Sequence, residues 1–210
     1  MNIAIIGATG MVGARAVAEA ASRGHQVDAY SRSGKSVEGA TNALAVDMTD
    51  SAALAEIVNN HDATIIAVSA GRGTSAQPII DAHKGLIAAA PTGRLLVVAG
   101  AGSLENEEGV RFVNLPGFPE DYKPEALAFS EILDAYRASE GLSWTALSRH
   151  SILSPASVPV PTLWLWITPP ASTSALRISR LLCWMSWKTP STLAAASPWL
   201  PANNSLYLLI

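Results

Sequence analysis

The chain has 210 residues, a formal net charge of −3 and a mean hydropathy of +0.25. This length suits a single domain, and the lack of excess positive charge argues against nucleic acid or an anionic membrane as the main partner. The single cysteine, Cys183, excludes an intrachain disulfide framework. The histidines are too scattered for a metal site and are expected at surface or capping positions: His25, His61, His83 and His150.

The chain starts with a short apolar run over residues 2–6, which predicts a buried strand, followed by a glycine loop and a helix over 11–22. The loop consists of Gly7, Ala8, Thr9, Gly10, Met11, Val12 and Gly13. Gly7 permits a sharp turn, Gly10 lets backbone amides approach phosphate oxygens, and Gly13 allows close packing of the helix. We therefore expect this loop and the helix dipole to bind a dinucleotide pyrophosphate. The alternative is that the glycines serve only a tight turn.

The second predicted strand, over residues 26–31, ends without the acidic residue that would accept a hydrogen bond from a ribose 2′-hydroxyl. Arg32 follows it instead, and a guanidinium suits a 2′-phosphate. This favours NADP as the cofactor, with NAD possible. The alternative is that Arg32 is a solvated arginine in a surface turn.

Strand and helix patterns alternate along the next hundred residues, which indicates an α/β protein with a doubly wound parallel sheet of the Rossmann type. Further strands are predicted over 43–46, 63–68, 94–99 and 142–147, and further helices over 51–59, 75–90 and 124–138. Ligands of such sheets bind outside the carboxyl ends of the strands. Ser69 and Ala70, which follow the fourth strand, are therefore expected beside the nicotinamide ribose.

The Gly-x-x-Gly-x-x-Gly spacing of residues 7–13 resembles that of extended and atypical short-chain dehydrogenases/reductases, which bind NAD or NADP. This resemblance implies that Asp47 and Met48, after the third strand, lie against the adenine. From the residues alone, Asp47 could instead cap the following helix. The same resemblance places Ser103 where those enzymes hold a serine that hydrogen-bonds the substrate carbonyl.

The tyrosine and lysine that transfer protons in those enzymes cannot be assigned, because neither Tyr122 nor Tyr136 has a lysine four residues later. This argues against carbonyl and sugar-epimerase chemistry, which needs a positioned acid or base. Hydride transfer to a flavin requires only aligned rings and a proton from solvent, so FMN or FAD is expected as a substrate and not as a bound cofactor. Ser103 and Tyr122 are the candidate catalytic residues, and ordinary loop hydrogen bonding is the alternative for both.

Six segments, 7–13, 69–71, 97–104, 116–119, 122–126 and 142–145, look like the small bacterial NAD(P)H-binding proteins of the NADH-flavin reductase type. The chain is similar, more distantly, to biliverdin/flavin reductases and NmrA-like regulators. The likeness covers residues 1 to about 148. It implies transfer of hydride from NADPH to a flavin or quinone-like acceptor, or, as an alternative, dinucleotide sensing without turnover.

Residues 149–210 differ in composition from the preceding domain, residues 1–148: they contain no Gly, Asp or Glu, yet hold five of the six tryptophans and eight of the 13 prolines. This pattern indicates a coding frame shift. Since Trp and Met each have one codon, reading one base upstream forces an aspartate at Trp184-Met185 and a glutamate at Trp187-Lys188. The expected result is an aberrant tail, the loss or disorder of the last strand and helix, and, as a third alternative, an inactive product. The competing interpretation is a genuine tail that contacts a membrane or partner.

No charged and apolar leader precedes the first strand, so a cytoplasmic location is expected. No apolar run approaches the roughly 18 residues of a membrane-spanning helix. The expected partner is a small-molecule acceptor, with no nucleic acid and no membrane, and the chain is expected to be a monomer or homodimer.

Overall fold

The computed structural model describes residues 1–71, 75–106 and 108–148, and the backbone of 206–209. Its strands are β1 (Asn2–Ile6), β2 (Gln26–Ser31), β3 (Asn42–Ala45), β4 (Ala63–Ile66), β5 (Arg94–Ala99), β6 (Ser143–Ser148) and β7 (Leu206–Leu209). Its α-helices are α1 (Met11–Ser22), α2 (Ser51–Asn60), α3 (Gln77–Ala88) and α4 (Lys123–Ala138). Short 3₁₀ turns lie at Ala101–Ser103, Phe112–Asn114 and Glu120–Tyr122.

The strands form one parallel sheet in the order β3-β2-β1-β4-β5-β6-β7. Ile5 of β1 pairs with Ala29 of β2 on one side and with Ile65 of β4 on the other. The chain order therefore reverses between β1 and β4, which opens a crevice at their carboxyl ends. This architecture confirms the predicted doubly wound α/β fold of the Rossmann type.

Both faces of the sheet are covered, because successive side chains of a strand point to opposite faces. One buried cluster joins the sheet to α2, α3 and α4 and includes Ile6, Leu54, Leu86, Val97 and Ile132. The other joins the sheet to α1 and includes Ile3, Ile5, Val17, Leu96 and Leu147. Each such side chain contributes about 1.5–3 kcal/mol when fully buried, so the two layers hold the strand ends in fixed register.

The predicted and observed elements differ mainly at their ends. The helix predicted over 75–90 spans only Gln77–Ala88, with Pro78 in its first turn, where a missing N–H costs nothing. In the described parts of the chain, no helix combines the length and apolar character needed to cross a bilayer.

The seventh strand corrects the expectation that the last strand is lost. Leu206–Leu209 runs parallel to β6, in register from Thr145↔Leu206 to Ser148↔Leu209. The open edge of β6 offers unpaired backbone groups, and a run of leucines with a tyrosine suits an extended strand. Residues 149–205 lie outside the described residues. The predictions that concern the last helix and the frame shift fall in this segment.

Candidate functional site

A cleft of about 1030 Å³ lies at the carboxyl ends of the central strands. The loops after β1, β2, β3, β4 and β5 line it, together with the first turns of α4. The cleft therefore occupies the switch point at which doubly wound proteins bind their ligands.

The glycine loop makes a crowded turn at the floor of this cleft. Gly7 has a φ of +83°, and its N–H donates to the carbonyl oxygen of Tyr30 over 2.9 Å. A Cβ atom at Gly7 would lie 2.5 Å from the carbonyl oxygen of Ala67, and one at Gly13 would lie 2.1 Å from that of Gly7. The structure thus shows the sharp turn at Gly7 and the close packing of the helix at Gly13 that the glycine spacing predicts.

The first turn of α1 faces the same space. Gly10 precedes the helix, and the first intrahelical bond runs from the N–H of Ala14 to the carbonyl oxygen of Gly10 over 2.9 Å. The N–H groups of residues 11–13 consequently have no intrahelical acceptor. Gly10, Met11 and Val12 line the cleft, so these amides and the positive end of the helix dipole are available to an anion.

The end of β2 supplies two more donors. Arg32 lines the cleft and is exposed. Ser31, which also lines it, is 7% exposed, and its hydroxyl has no hydrogen-bond partner within the described structure. An unsatisfied buried hydroxyl destabilises the fold by about 1–3 kcal/mol. A ligand oxygen that hydrogen-bonds to the Ser31 hydroxyl would remove this penalty. The Ser-Arg pair in the sequence is the signal that could have identified Ser31 as a site residue.

Asp47 and Met48 follow β3 but have different surroundings. The buried Met48 lines the cleft, whereas Asp47 does not. The backbone N–H and then the hydroxyl of Thr49 donate to Oδ1 of Asp47 over 2.9 and 2.8 Å, and these bonds, with the charge of Arg32, lower the pKa of Asp47. The alternative that Asp47 caps α2 is wrong, because Oδ1 of Asp50 accepts the N–H of Ala53 there.

The structure brings most of the predicted site residues together on the cleft: Gly7, Thr9, Gly10, Met11, Val12, Arg32, Met48, Ser69, Ala70 and Tyr122. Four others do not line it: Ala8, Gly13, Asp47 and Ser103. Ala8 is fully buried in the core, and Gly13 packs on Gly7. Ser103 is 1% exposed, and its hydroxyl donates to the carbonyl oxygen of Gly100 over 2.8 Å, which is the local bonding named as the alternative.

The far end of the cleft is formed by side chains that, apart from Tyr122, were not predicted from the sequence to belong to the site. Tyr122, Glu125, Ala126 and Phe129 line it from the start of α4, and Phe118 and Pro119 line it from the preceding segment. A Cβ at Gly102 would lie 2.5 Å from the Cβ of Ala126, so the loop after β5 packs tightly on α4. The spacing i, i+3, i+4, i+7 from Tyr122 is one helix face, and this periodicity is the signal that could have found them.

A second tyrosine lies apart from the cleft. Tyr136 is 1% exposed, and its hydroxyl is 3.0 Å from Nδ1 of His83. Burial raises the pKa of Tyr136 and lowers the pKa of His83 to about 4. The expectation of a surface or capping position is thus wrong for His83, which lies between α3 and α4. Its ring contacts the ring of Tyr136, and Tyr136 in turn contacts Trp144.

A doubly wound parallel sheet with a glycine loop at its switch point defines a dinucleotide-binding α/β protein. The chain belongs to the NAD(P)H-binding family, which it matches over residues 7–160. That match takes in the glycine loop and every strand from β2 to β6.

Three bacterial proteins are similar to the chain over more than two thirds of its length. The chain is 35% identical over 161 residues to the uncharacterized protein YwnB of Bacillus subtilis (strain 168), covering 74% of this chain and 75% of YwnB. A "putative exported protein" from Burkholderia pseudomallei is 37% identical, with a TM-score of 0.61, over 71% of this chain and 72% of its own. A "putative NADH-flavin reductase" from Streptococcus pneumoniae TIGR4 is 29% identical, with a TM-score of 0.66, over 85% of this chain and 90% of its own.

Proposed function

We propose that this protein is an oxidoreductase that transfers hydride from NADPH to a flavin or quinone-like acceptor. The observation that carries the proposal is the construction of the cleft, which joins an anion-binding floor to a wall of aromatic side chains. The similarity to the streptococcal protein whose name describes NADH-flavin reduction supports the same class of reaction.

The residues present fit a dinucleotide. The loop at Gly7 and Gly10 lets backbone reach a pyrophosphate, and the first turn of α1 supplies N–H donors. Ser69 and Ala70 would contact the nicotinamide ribose from the loop after β4. When bound, the reduced nicotinamide supplies a hydride, which carries two electrons to the acceptor.

Arg32 and Ser31 favour NADPH over NADH. A guanidinium at the end of β2 suits a 2′-phosphate, and the buried hydroxyl beside it has no partner among the residues described. Among the described residues, no carboxylate lines the cleft at this strand end to accept a hydrogen bond from the free 2′-hydroxyl of NADH.

Phe118 and Phe129 provide the surfaces that orient a planar acceptor. Both side chains line the cleft, and Phe129 is 5% exposed, so its ring is held by the core. Aromatic side chains stack on planar rings and exclude water from them. Because solvent can deliver the proton that accompanies the hydride, FMN or FAD can act as a dissociable substrate without a Tyr-Lys pair.

The proposal is tested by titrating the protein with NADPH and NADH, followed by turnover assays with FMN, FAD and menadione. We expect saturable NADPH binding, tighter than that of NADH, and acceptor-dependent oxidation of NADPH. Tight binding without turnover of any acceptor would replace the reductase by an NmrA-like dinucleotide sensor.

The composition of residues 149–210 supports a separate proposal, that the tail is a frame-shifted reading. Sequencing the DNA across codons 140–210 tests it. A base gained or lost near codon 148 would establish the shift, and the restored reading frame would then be assayed beside this chain. Loss of NADPH binding only in this chain would identify it as the inactive product.

A further inference from the structure

The two ends of the cleft carry opposite charges. Among the described residues that line it, the charged ones are Arg32 and Glu125. Arg32 follows β2, and Glu125 lies on α4, which packs on the loop after β5. Because β1 and β4 separate β2 from β5, and neighbouring strands lie about 4.8 Å apart, these two charges stand at opposite ends.

The chain around Glu125 reinforces its sign. Residues 120–125 contain three acids and one lysine, and Nζ of that Lys123 is 3.0 Å from Oε1 of Glu120. The arginines on either side of this segment in the sequence pair with other acids: Arg111 contacts Asp134, and Arg137 is 3.2 Å from Glu105. Among the described residues that line the cleft, Glu125 is therefore the charged side chain at the end formed by α4, which we call the acceptor end.

Glu125 also occupies the first turn of α4, where a carboxylate complements the helix dipole. That role alone would affect the stability of α4 and would leave the choice of acceptor unchanged. Its position on the cleft surface gives it a second role, because an acceptor packed against Phe129 lies beside a carboxylate on the same face of α4.

We propose that Glu125 is a specificity-determining residue that selects acceptors without a phosphate, such as riboflavin or an uncharged quinone, over FMN and FAD. The inference rests on the proposed reductase function and narrows its substrate class. A phosphate carries a charge of about −1.5 to −2 at pH 7 and is repelled by a carboxylate. An uncharged ring avoids this repulsion, and the ring N–H of an isoalloxazine is a donor that a carboxylate accepts.

Riboflavin and FMN form a matched pair of probes, because they share the ring that accepts the hydride and differ by one phosphate. With NADPH saturating, we expect kcat/KM for riboflavin to exceed that for FMN by about 5- to 10-fold, equal to about 1–1.4 kcal/mol of discrimination. The ratio should fall to within about 2-fold in Glu125→Gln, and it should shrink in the wild type when salt rises from about 0.05 M to about 0.5 M.

Two controls separate specificity from folding. Glu56→Gln removes the same charge from an exposed position on α2 and should keep the wild-type ratio. The NADPH dissociation constant of Glu125→Gln should equal that of the wild type, which shows that the cofactor site is intact. An equal or higher kcat/KM for FMN in the wild type, or an unchanged ratio in Glu125→Gln, overturns the inference but leaves the reductase standing. If riboflavin, FMN, FAD and menadione are all left unreduced, the reductase proposal fails, and the inference fails with it.

Discussion

The cleft has two ends that are built in different ways: the proposed phosphate end, at the glycine loop and Arg32, and the proposed acceptor end, at the start of α4. At the phosphate end, backbone atoms pack so closely that a Cβ at Gly13 would overlap a carbonyl oxygen. At the acceptor end, side chains on one face of α4 and the segment before it form the wall. The phosphate end depends on the absence of side chains, and the acceptor end depends on which side chains are present. Substitutions at the two ends should therefore have different effects on ligand binding.

The largest expected effect concerns the helix pair that supports the acceptor end. Because the pKa of buried His83 is lowered from 6.5 to about 4, the unfolded chain binds a proton between these pH values that the folded chain does not. Titration of His83 therefore leaves the free energy of unfolding unchanged above pH 6.5 and lowers it as the pH drops toward 4, by about 3 kcal/mol in total. Urea unfolding at several pH values measures this loss, which should disappear in His83→Gln.

Tyr136→Phe is the matched control for that experiment. It removes the hydroxyl that lies 3.0 Å from Nδ1 of His83 and keeps the histidine buried. It should lower the free energy of unfolding by about 1–3 kcal/mol at every pH, with the pH dependence retained. A flat profile in the wild type would show that His83 does not titrate in this range.

At the phosphate end, Gly13→Ala should push α1 away from the loop at Gly7. Overpacking of this kind costs about 1–3 kcal/mol, and because the shift displaces the phosphate donors, we expect NADPH binding to weaken by up to about 100-fold. Isothermal titration calorimetry measures the change. Gly24→Asn, at a position with open space and a positive φ that asparagine tolerates, should bind as the wild type does. Normal affinity in Gly13→Ala would show that the close packing is dispensable.

Arg32→Ala should raise the NADPH dissociation constant by about 10-fold, the value of one charge-assisted hydrogen bond of about 1.4 kcal/mol. NADH binding should change by less than about 2-fold, because NADH lacks the 2′-phosphate. Lys35→Ala, which removes a nearby exposed cation that does not line the cleft, is the control. Equal losses for NADPH and NADH would mean that Arg32 does not recognise the 2′-phosphate.

The smallest expected effect is that of Phe118→Ala at the acceptor end. Phe118 is half-buried, so truncation should raise the KM for flavin by about 3- to 5-fold, in line with a stacking contribution of about 0.5–1.5 kcal/mol. The NADPH dissociation constant should stay the same, since the phosphate end does not depend on this side chain. Steady-state kinetics with the acceptor varied provide the measurement, and parallel losses in both ligands would contradict the division of the cleft.

The fold and the phosphate end could be predicted from the sequence because both depend on local patterns. Apolar strand runs and helical periodicity set the elements, and the spacing of Gly7, Gly10 and Gly13 specifies a backbone conformation directly. Two predictions failed for reasons that are not local. His83 is buried by helices distant in sequence, and a seventh strand adds to the edge of β6. The role of Ser103 stays a prediction, although its hydroxyl donates to the carbonyl oxygen of Gly100.

The acceptor end was harder to predict because no motif describes it. Tyr122 was assigned as a candidate from kinship, but Glu125 and Phe129 become site residues only when α4 packs on the loop after β5. Similarly, the unpartnered state of the Ser31 hydroxyl depends on burial by the surrounding fold. The sequence groups these side chains, through the helical periodicity of α4 and the Ser-Arg pair after β2, but tertiary contacts decide that they line a cleft.

The end of β2 also anchors the outer edge of the sheet. The carbonyl oxygen of Ser31 accepts a hydrogen bond from the N–H of Val46 over 3.0 Å, just beyond the mostly exposed strand β3. Among the described strands, β3 pairs with β2 alone. Edge strands with so little burial open most readily to solvent. A nucleotide bound at Ser31 and Arg32 would reduce this opening. Slower hydrogen–deuterium exchange of the amides in Asn42–Ala45 would therefore report that the cleft is occupied, although β3 lies far from the acceptor end.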